Sequence, residues 1–506
     1  MSSKIFSAAV IGLDAELVEV EADIGGGQMG LFTIVGLPDA AVNESRERIR
    51  SAIKNSDLDF PKLKATVNLA PADLKKQGPS YDLPIAVSIL ANVLKMCEAQ
   101  IFRESLFVGE LALNGNLRPI NGILPIVIKA KKVGIKTIFV PEQNATEAQL
   151  IPGIKVLPVK SLKQLFRHLV GAELIPLPAN TVFSFSNQNH PADMRNIQGQ
   201  EHVKRAMEIA AAGAHNMLMS GPPGSGKTLI ARTMPSILPD LTLNEALEIT
   251  KIYSVAGLLN HQSSLVTSRP FRSPHHTASG VALVGGGAWP RPGEISLSHR
   301  GVLFLDEFAE FPRAVMENLR QPLEDGIINI SRAAGNLCFP AKFILISAIN
   351  PCPCGYFGDK EKDCICTPVQ IINYKRKISG PILDRIDLHI EVPRIKFEKL
   401  ISNTPAEDSK AIKTRVQKAR DKQSSRFTNS HFVTNSEMNS EAVKKFCQVD
   451  ENCQQLLKNA VNQMHLSARS YFRILKIART IADLDDSENI KIQHLAEALQ
   501  YRPKIE

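Results

Sequence analysis

The feature that most constrains this chain is an eight-residue run, Gly221-Pro222-Pro223-Gly224-Ser225-Gly226-Lys227-Thr228. It fills every fixed position of the pattern G-x-x-x-x-G-K-[ST]. Apolar Met217–Ser220 precedes it and reads as a short strand, and Leu229–Met234 follows it as the continuation of a helix. A strand, a glycine loop and a helix in that order belong to a parallel α/β sheet. The glycines let backbone N–H groups close around phosphates at the positive end of the helix. Lys227 then reaches the outer phosphates and Thr228 ligates the metal. These residues call for ATP with Mg2+.

A second strand ends in two carboxylates, Gly301-Val-Leu-Phe-Leu-Asp306-Glu307. Asp306 suits the magnesium and Glu307 the role of general base toward water. A third strand, Lys342 to Asn350, ends in an amide able to bond the lytic water or the γ-phosphate. Leu383-Asp-Arg-Ile-Asp387 offers Arg385, and Ser467-Ala-Arg469 opens a helix further on; each arginine is a candidate either for a γ-phosphate or for a surface ion pair. An arginine supplied by a neighbouring subunit is worth about 10³ to 10⁵ in rate, and it would make the active enzyme an oligomer.

A chain of 506 residues needs more than one core. Residues 1–171 mix short strands (Leu31–Val35, Ala65–Ala70, Lys136–Val140) with helices, one of them capped by Asp39 and another buried from Leu83 to Leu94. Residues 172–193, rich in Pro, Asn and Ser, read as a linker. Alternating strands and helices over 194–394 read as the ATPase core, and 395–506 as a helical domain, almost entirely helical in pattern after the polar stretch Ser402–Lys410, with Leu456, Leu457, Ala460, Val461 and Met464 at helical spacing. No apolar run reaches eighteen residues and Met1–Phe6 begins no secretory signal, so the expectation is a cytoplasmic protein without a membrane partner. A net charge of +9 suits a polyanion.

Eight cysteines in such a chain are not a disulfide framework. Cys97, Cys338, Cys447 and Cys453 are scattered, whereas Cys352, Cys354, Cys364 and Cys366 form two C-x-C pairs around a polar loop, 352–366. Four thiolates on tight turns suit Zn2+. The competing reading is four unpaired loop thiols.

The order of phosphate loop, Asp306-Glu307, Asn350, Arg385 and Arg469 resembles the AAA+ superfamily. Arg272-Ser-Pro-His-His-Thr-Ala-Ser279, Pro292–Gly301 and Asn350-Pro-Cys-Pro-Cys-Gly355 resemble its magnesium-chelatase-like branch, and within it the YifB/ComM competence protein family. The likeness extends from Phe32–Asp39 to Ala478–Asp483. It implies a multidomain α/β protein: a Lon-protease-like (ribosomal S5 domain 2-like) α+β domain, an AAA+ core with β-hairpin insertions, and a C-terminal helical lid. It also implies homo-hexameric rings acting on single-stranded or branched DNA, helicase and branch-migration activity during natural transformation, and recombination proteins as partners. Asn350 would be the first sensor, Arg385 the finger acting in trans and Arg469 the second sensor.

Two insertions mark the branch, one around Ser273–Ile295 and one from Gly326 to Phe339 that reads as a hairpin turning near Ala333-Ala334-Gly335. Related ring helicases aim such hairpins at the central channel, which makes Arg332 the candidate DNA contact. In the first domain, Ser80 of Gly78-Pro-Ser stands where Lon enzymes carry their nucleophile, but Leu124 stands where the partner lysine belongs, with Lys129 the next amine along. Without an amine to take its proton the serine is a poor nucleophile, so no peptidase is expected. Alternatives to the DNA motor are a metal-chelatase motor subunit and an ATP-dependent unfoldase or protease-like chaperone.

Overall fold

In the computed structural model, residues 3–26, 30–96, 99–179, 190–259, 264–287, 291–332, 335–359, 361–394, 406–428 and 430–502 are described, with the side chains of 331–335 excluded. The chain divides into two compact units, 1–184 with 246–266, and 185–245 with 267–506. Much of the stretch read as a linker, 180–189, lies outside the described residues.

The first unit is built on a seven-stranded mixed sheet. Its order is Phe32–Val35, Lys64–Ala70, Asp14–Gly25, Ser3–Ile11, Ser105–Phe107, Thr137–Pro141, Lys155–Val159. Ser3–Ile11 pairs antiparallel with Asp14–Gly25, and the last three strands run parallel to Ser3–Ile11. Strand side chains alternate between faces. Ile5 and Ala9 thus enter the core shared with helices Ala40–Asn55 and Asp82–Val93, while Ala8 enters the other, under helix Ile123–Lys132. Asp39 caps the first of these helices by accepting from the Val42 amide at 2.8 Å. Helix Asp82–Val93 is buried along its first ten residues. Its one carboxylate, Asp82, is held by Arg48 at 2.9 Å. Burial raises the Asp82 pKa against that pairing.

Residues 246–266 lie inside the range assigned from sequence to the ATPase core, yet they belong to this first unit. Lys251 pairs with Asp14 at 2.7 Å, the Ser254 hydroxyl donates to Glu147 at 2.5 Å, and the Gly122 amide donates to the Ser254 carbonyl. Ser80 lies in the turn Pro79–Tyr81, and Leu124 is fully buried with its amide on Glu147. The Lys129 amine is engaged by Glu16 at 2.7 Å.

The second unit carries a five-stranded sheet in the order Phe271–Arg272, Val302–Leu305, Ile344–Ile349, Met217–Ser220, Leu388–Glu391, with every neighbouring pair parallel. Strands buried on both faces read as continuous apolar runs, as Val302–Leu305 does. Helices Ser409–Arg426, Ser440–Phe446, Glu451–Gln463, Ala468–Leu484 and Ile492–Gln500 follow. Asp408, Asn439, Asp450 and Ser467 each cap one of them with a side-chain oxygen, satisfying an amide that the helix leaves open. These helices do not form a core of their own. Val416, Leu457, Ile474, Ile481 and Leu495 share one apolar cluster with Met207, Ile230, Phe304 and Ile346 of the sheet layer.

The second insertion is a hairpin, Ile327–Arg332 paired antiparallel with Gly335–Pro340 and closed at the Arg332–Gly335 register. The Arg332 side chain and residues 333–334 lie outside the described residues. No described helix is long and apolar enough to cross a membrane.

Candidate active site

In a parallel sheet all strand ends of one polarity share an edge, and ligands bind outside the carboxyl edge. The second unit brings four sequence-read residues together there. Gly221 follows strand Met217–Ser220 so closely that a Cβ would lie 2.2 Å from the Val392 carbonyl oxygen, which only glycine tolerates. Gly226, at φ +88°, turns the chain into helix Lys227–Ile237. The Lys227 amine curls over the loop. It donates to the carbonyls of Gly221 at 2.7 Å and Pro222 at 2.9 Å, and to Asn350 Oδ1 at 3.3 Å. Burial lowers its pKa, and Asp306 opposes that shift. The Thr228 hydroxyl donates to Asp306 Oδ2 at 2.6 Å, so the two magnesium candidates already touch.

Glu307 adopts a left-handed backbone, φ +51°, at the end of strand Val302–Leu305, and its carboxylate is exposed. That conformation is uncommon outside glycine and gathers at functional sites. His276 Nδ1 lies 3.2 Å from Glu307 Oε2, a contact that becomes an ion pair when the imidazole is protonated. His276 belongs to the Arg272–Ser279 signature, whose role the sequence left unassigned. The same signature anchors the first insertion, for Arg272 grips Glu294 through two bonds of 2.6 and 2.7 Å.

Arg385 and Arg469 are not at this edge. The Arg385 carbonyl accepts from the side chain of Asn216, the residue before strand Met217–Ser220, which puts Arg385 at the amino edge of the sheet. A four-residue strand, about 13 Å, lies between the two edges. There Arg385 and Arg469 both hold Glu324, Arg469 at 3.1 Å. Sequence reasoning missed Glu324, which lies in no motif. Beside them Asp387 is buried and bonded by Arg473 of helix Ala468–Leu484, with His215 at 3.4 Å and the Asn216 amide at 3.1 Å. Burial alone would raise the Asp387 carboxyl, but Arg473, His215 and Arg502 outweigh it and hold it well below the ordinary range. A cleft of about 670 Å³ opens at this edge, lined by eight Arg and Lys side chains against five carboxylates.

The four paired cysteines converge. Their sulfurs all lie within 4.8 Å of one another. Separations are 3.4 Å for Cys352–Cys354, 3.7 Å for Cys352–Cys364 and 3.6 Å for Cys354–Cys364. The Tyr356 amide, with that of Ile365, pulls the Cys354 thiol down to about 6. Cys364 receives the Cys366 amide, yet reduced solvation and the adjacent sulfurs push it up to about 12.

A parallel sheet with a glycine phosphate loop, a hydroxyl-to-carboxylate contact at its metal position and an asparagine on the next strand defines a P-loop ATPase of the AAA+ class. Family models match along the chain: magnesium chelatase, subunit ChlI, over residues 193–400, subunit ChlI of Mg-chelatase over 20–144, and the ChlI C-terminal region over 406–502. The competence protein ComM of Haemophilus influenzae is 43% identical across 99% of this chain and 97% of its own length. YifB of Escherichia coli is 42% identical over 99% and 97%. The chain belongs to the magnesium-chelatase-like YifB/ComM family. A Lon protease of Trichlorobacter lovleyi is 24% identical over 32% of this chain and 21% of its own.

Proposed function

We propose that this chain is the subunit of an ATP-driven, homo-hexameric DNA motor, acting on single-stranded or branched DNA during recombination of incoming strands. The observation that carries the reading is the separation of the two edges. Lys227, Thr228, Asp306 and Asn350 gather at the carboxyl edge, while Arg385 and Arg469 lie together at the amino edge of the same sheet. One subunit therefore offers half a catalytic site on each side, and a ring of identical subunits joins the halves in a repeating head-to-tail contact.

In such a joint Lys227 meets the γ-phosphate, and Thr228 and Asp306 would hold Mg2+, which would neutralise charge on the phosphate oxygens. Glu307 takes the proton of the attacking water, and Asn350 orients that water. The neighbour's Arg385 and Arg469 stabilise charge developing on the phosphoryl oxygens, and the cationic surplus of the cleft favours that meeting. His276 positions Glu307, since it holds the carboxylate that must turn toward the water.

DNA as the polymer is supported by the kinship with a competence protein, by the net charge of +9 and by the Ile327–Pro340 hairpin, with Arg332 on its first strand as the phosphate contact. The chelatase reading has its own support in the family models. In that case hydrolysis would serve metal insertion and would ignore DNA. The Lon-like part carries no lysine at Leu124, and Lys129 is engaged by Glu16, so the reading includes no peptidase. The test is strand displacement on forked and four-way DNA, with ATPase measured with and without DNA. Wild type should unwind and be stimulated, while Lys227→Ala and Glu307→Gln should do neither. Turnover indifferent to every DNA offered, with no DNA retained, overturns the motor.

A further inference from the structure

We infer that Cys352, Cys354, Cys364 and Cys366 hold one zinc ion, and that the zinc loop is a brace for the phosphate-binding loop. A tetrahedral zinc with Zn–S bonds near 2.3 Å sets its sulfurs about 3.8 Å apart. The three separations here, 3.4, 3.6 and 3.7 Å, fall close to that value with the sulfurs already facing one another. Backbone amides point at the sulfurs as they do toward thiolates: Phe357 donates to Cys352 at 3.3 Å and Cys354 to Cys366 at 3.4 Å. A loop of four unpaired thiols has no reason to converge so tightly, because thiols are weak partners for one another.

The loop reaches the nucleotide site in two places. It starts two residues after Asn350, whose side chain meets Lys227. Inside it, Gly355 at φ +86° lies flat against Pro223 of the phosphate loop, and a Cβ there would fall 2.5 Å from Pro223 Cδ. Its far side is pinned as well, by Arg394 on Asp359 at 3.0 Å and by Lys362 over the Tyr356 ring at 4.1 Å. A loop of this length without secondary structure is ordered by its ends and by the metal. Zinc therefore fixes the wall against which Pro223 and Asn350 are set. It takes no part in phosphoryl transfer.

This inference rests on the nucleotide reading alone and is tested without DNA. Purified full-length protein is assayed for metal by mass spectrometry and for sulfur coordination by X-ray absorption, and nucleotide affinity is followed with a fluorescent ATP analogue. About one zinc per chain with four sulfur neighbours is expected, absent from Cys364→Ser/Cys366→Ser, together with at least a fivefold loss of analogue affinity. Gly355→Ala keeps all four thiols. It should retain zinc and still lose affinity about fivefold, which separates the brace from the metal and guards against a cysteine variant that does not fold. Metal-free protein, iron in place of zinc, or four thiols that react freely in the native state overturn the site. Wild-type affinity in both variants overturns the brace.

Discussion

The two edges of the second unit's sheet are made from sequence in opposite ways. At the carboxyl edge one contiguous run, Gly221–Thr228, forms the loop proposed to hold the phosphates, and strand ends deliver Asp306 and Asn350 to it. At the amino edge the working group is assembled from Asn216, Glu324, Arg385, Asp387, Arg469 and Arg473, drawn from 258 positions of chain. The first edge is a motif, because backbone amides around a phosphate must be consecutive. The second is a meeting of long side chains, which need only be near in space. A contiguous site is preorganised by its own loop, whereas a dispersed one depends on the packing of helix Ala468–Leu484 onto the sheet.

The largest effect should come from breaking the carboxyl edge. Lys227→Ala should abolish measurable turnover, and Glu307→Gln should lower it by about 10²-fold or more while leaving nucleotide binding intact, checked by ATPase assay beside analogue titration. Arg385→Ala should lower turnover by about 10³-fold without weakening nucleotide binding to an isolated subunit. Mixing it with Lys227→Ala sharpens the comparison. Each inactive variant supplies the half that the other lacks, so a one-to-one mixture should recover up to about a quarter of wild-type turnover if half-sites are joined between subunits. A mixture as dead as its components sinks the two-edge site.

Asp387→Asn tests whether the amino edge is held by its buried charges. Leaving Arg473 facing a neutral amide should cost about 3 kcal/mol, read as a lower denaturant midpoint. Acid should do the same by degrees. The His389 pKa is depressed to about 4, by burial first and by Arg502 second, and the Asp387 carboxyl is also depressed. A depressed group contributes stability that is complete above its unfolded pKa and is lost as pH falls through its folded one. Stability should decline from about pH 6.5 to 4 through His389 and further below about pH 4 through Asp387, followed by thermal melts across that range. The smallest effect belongs to Glu324→Gln. Its carboxylate is half exposed, so losing both arginine contacts should cost under about 1 kcal/mol in the same melts.

Legibility followed the same division. The strands Met217–Ser220 and Val302–Leu305, the helix capped by Asp39 and the helix opened by Ser467 could be read because period, cap and turn chemistry are local. Glu324 and the pairing of His276 with Glu307 could not, since each joins residues from separate elements. The membership of residues 246–266 in the first unit was equally silent, because Ser254 gives no sign in sequence of meeting Glu147.

By itself the sequence determined the chemistry of the phosphate loop, the carboxylates at a strand end, the two cysteine pairs and the helical character of the last hundred residues, all consequences of neighbours along the chain. Tertiary structure alone decided that Arg385 and Arg469 share one carboxylate at the edge away from their own phosphate loop, and that four sulfurs converge in a loop whose Gly355 lies against Pro223. The reason is physical. Local propensities fix which element forms, but parallel strand polarity and side-chain packing fix which ends of those elements meet.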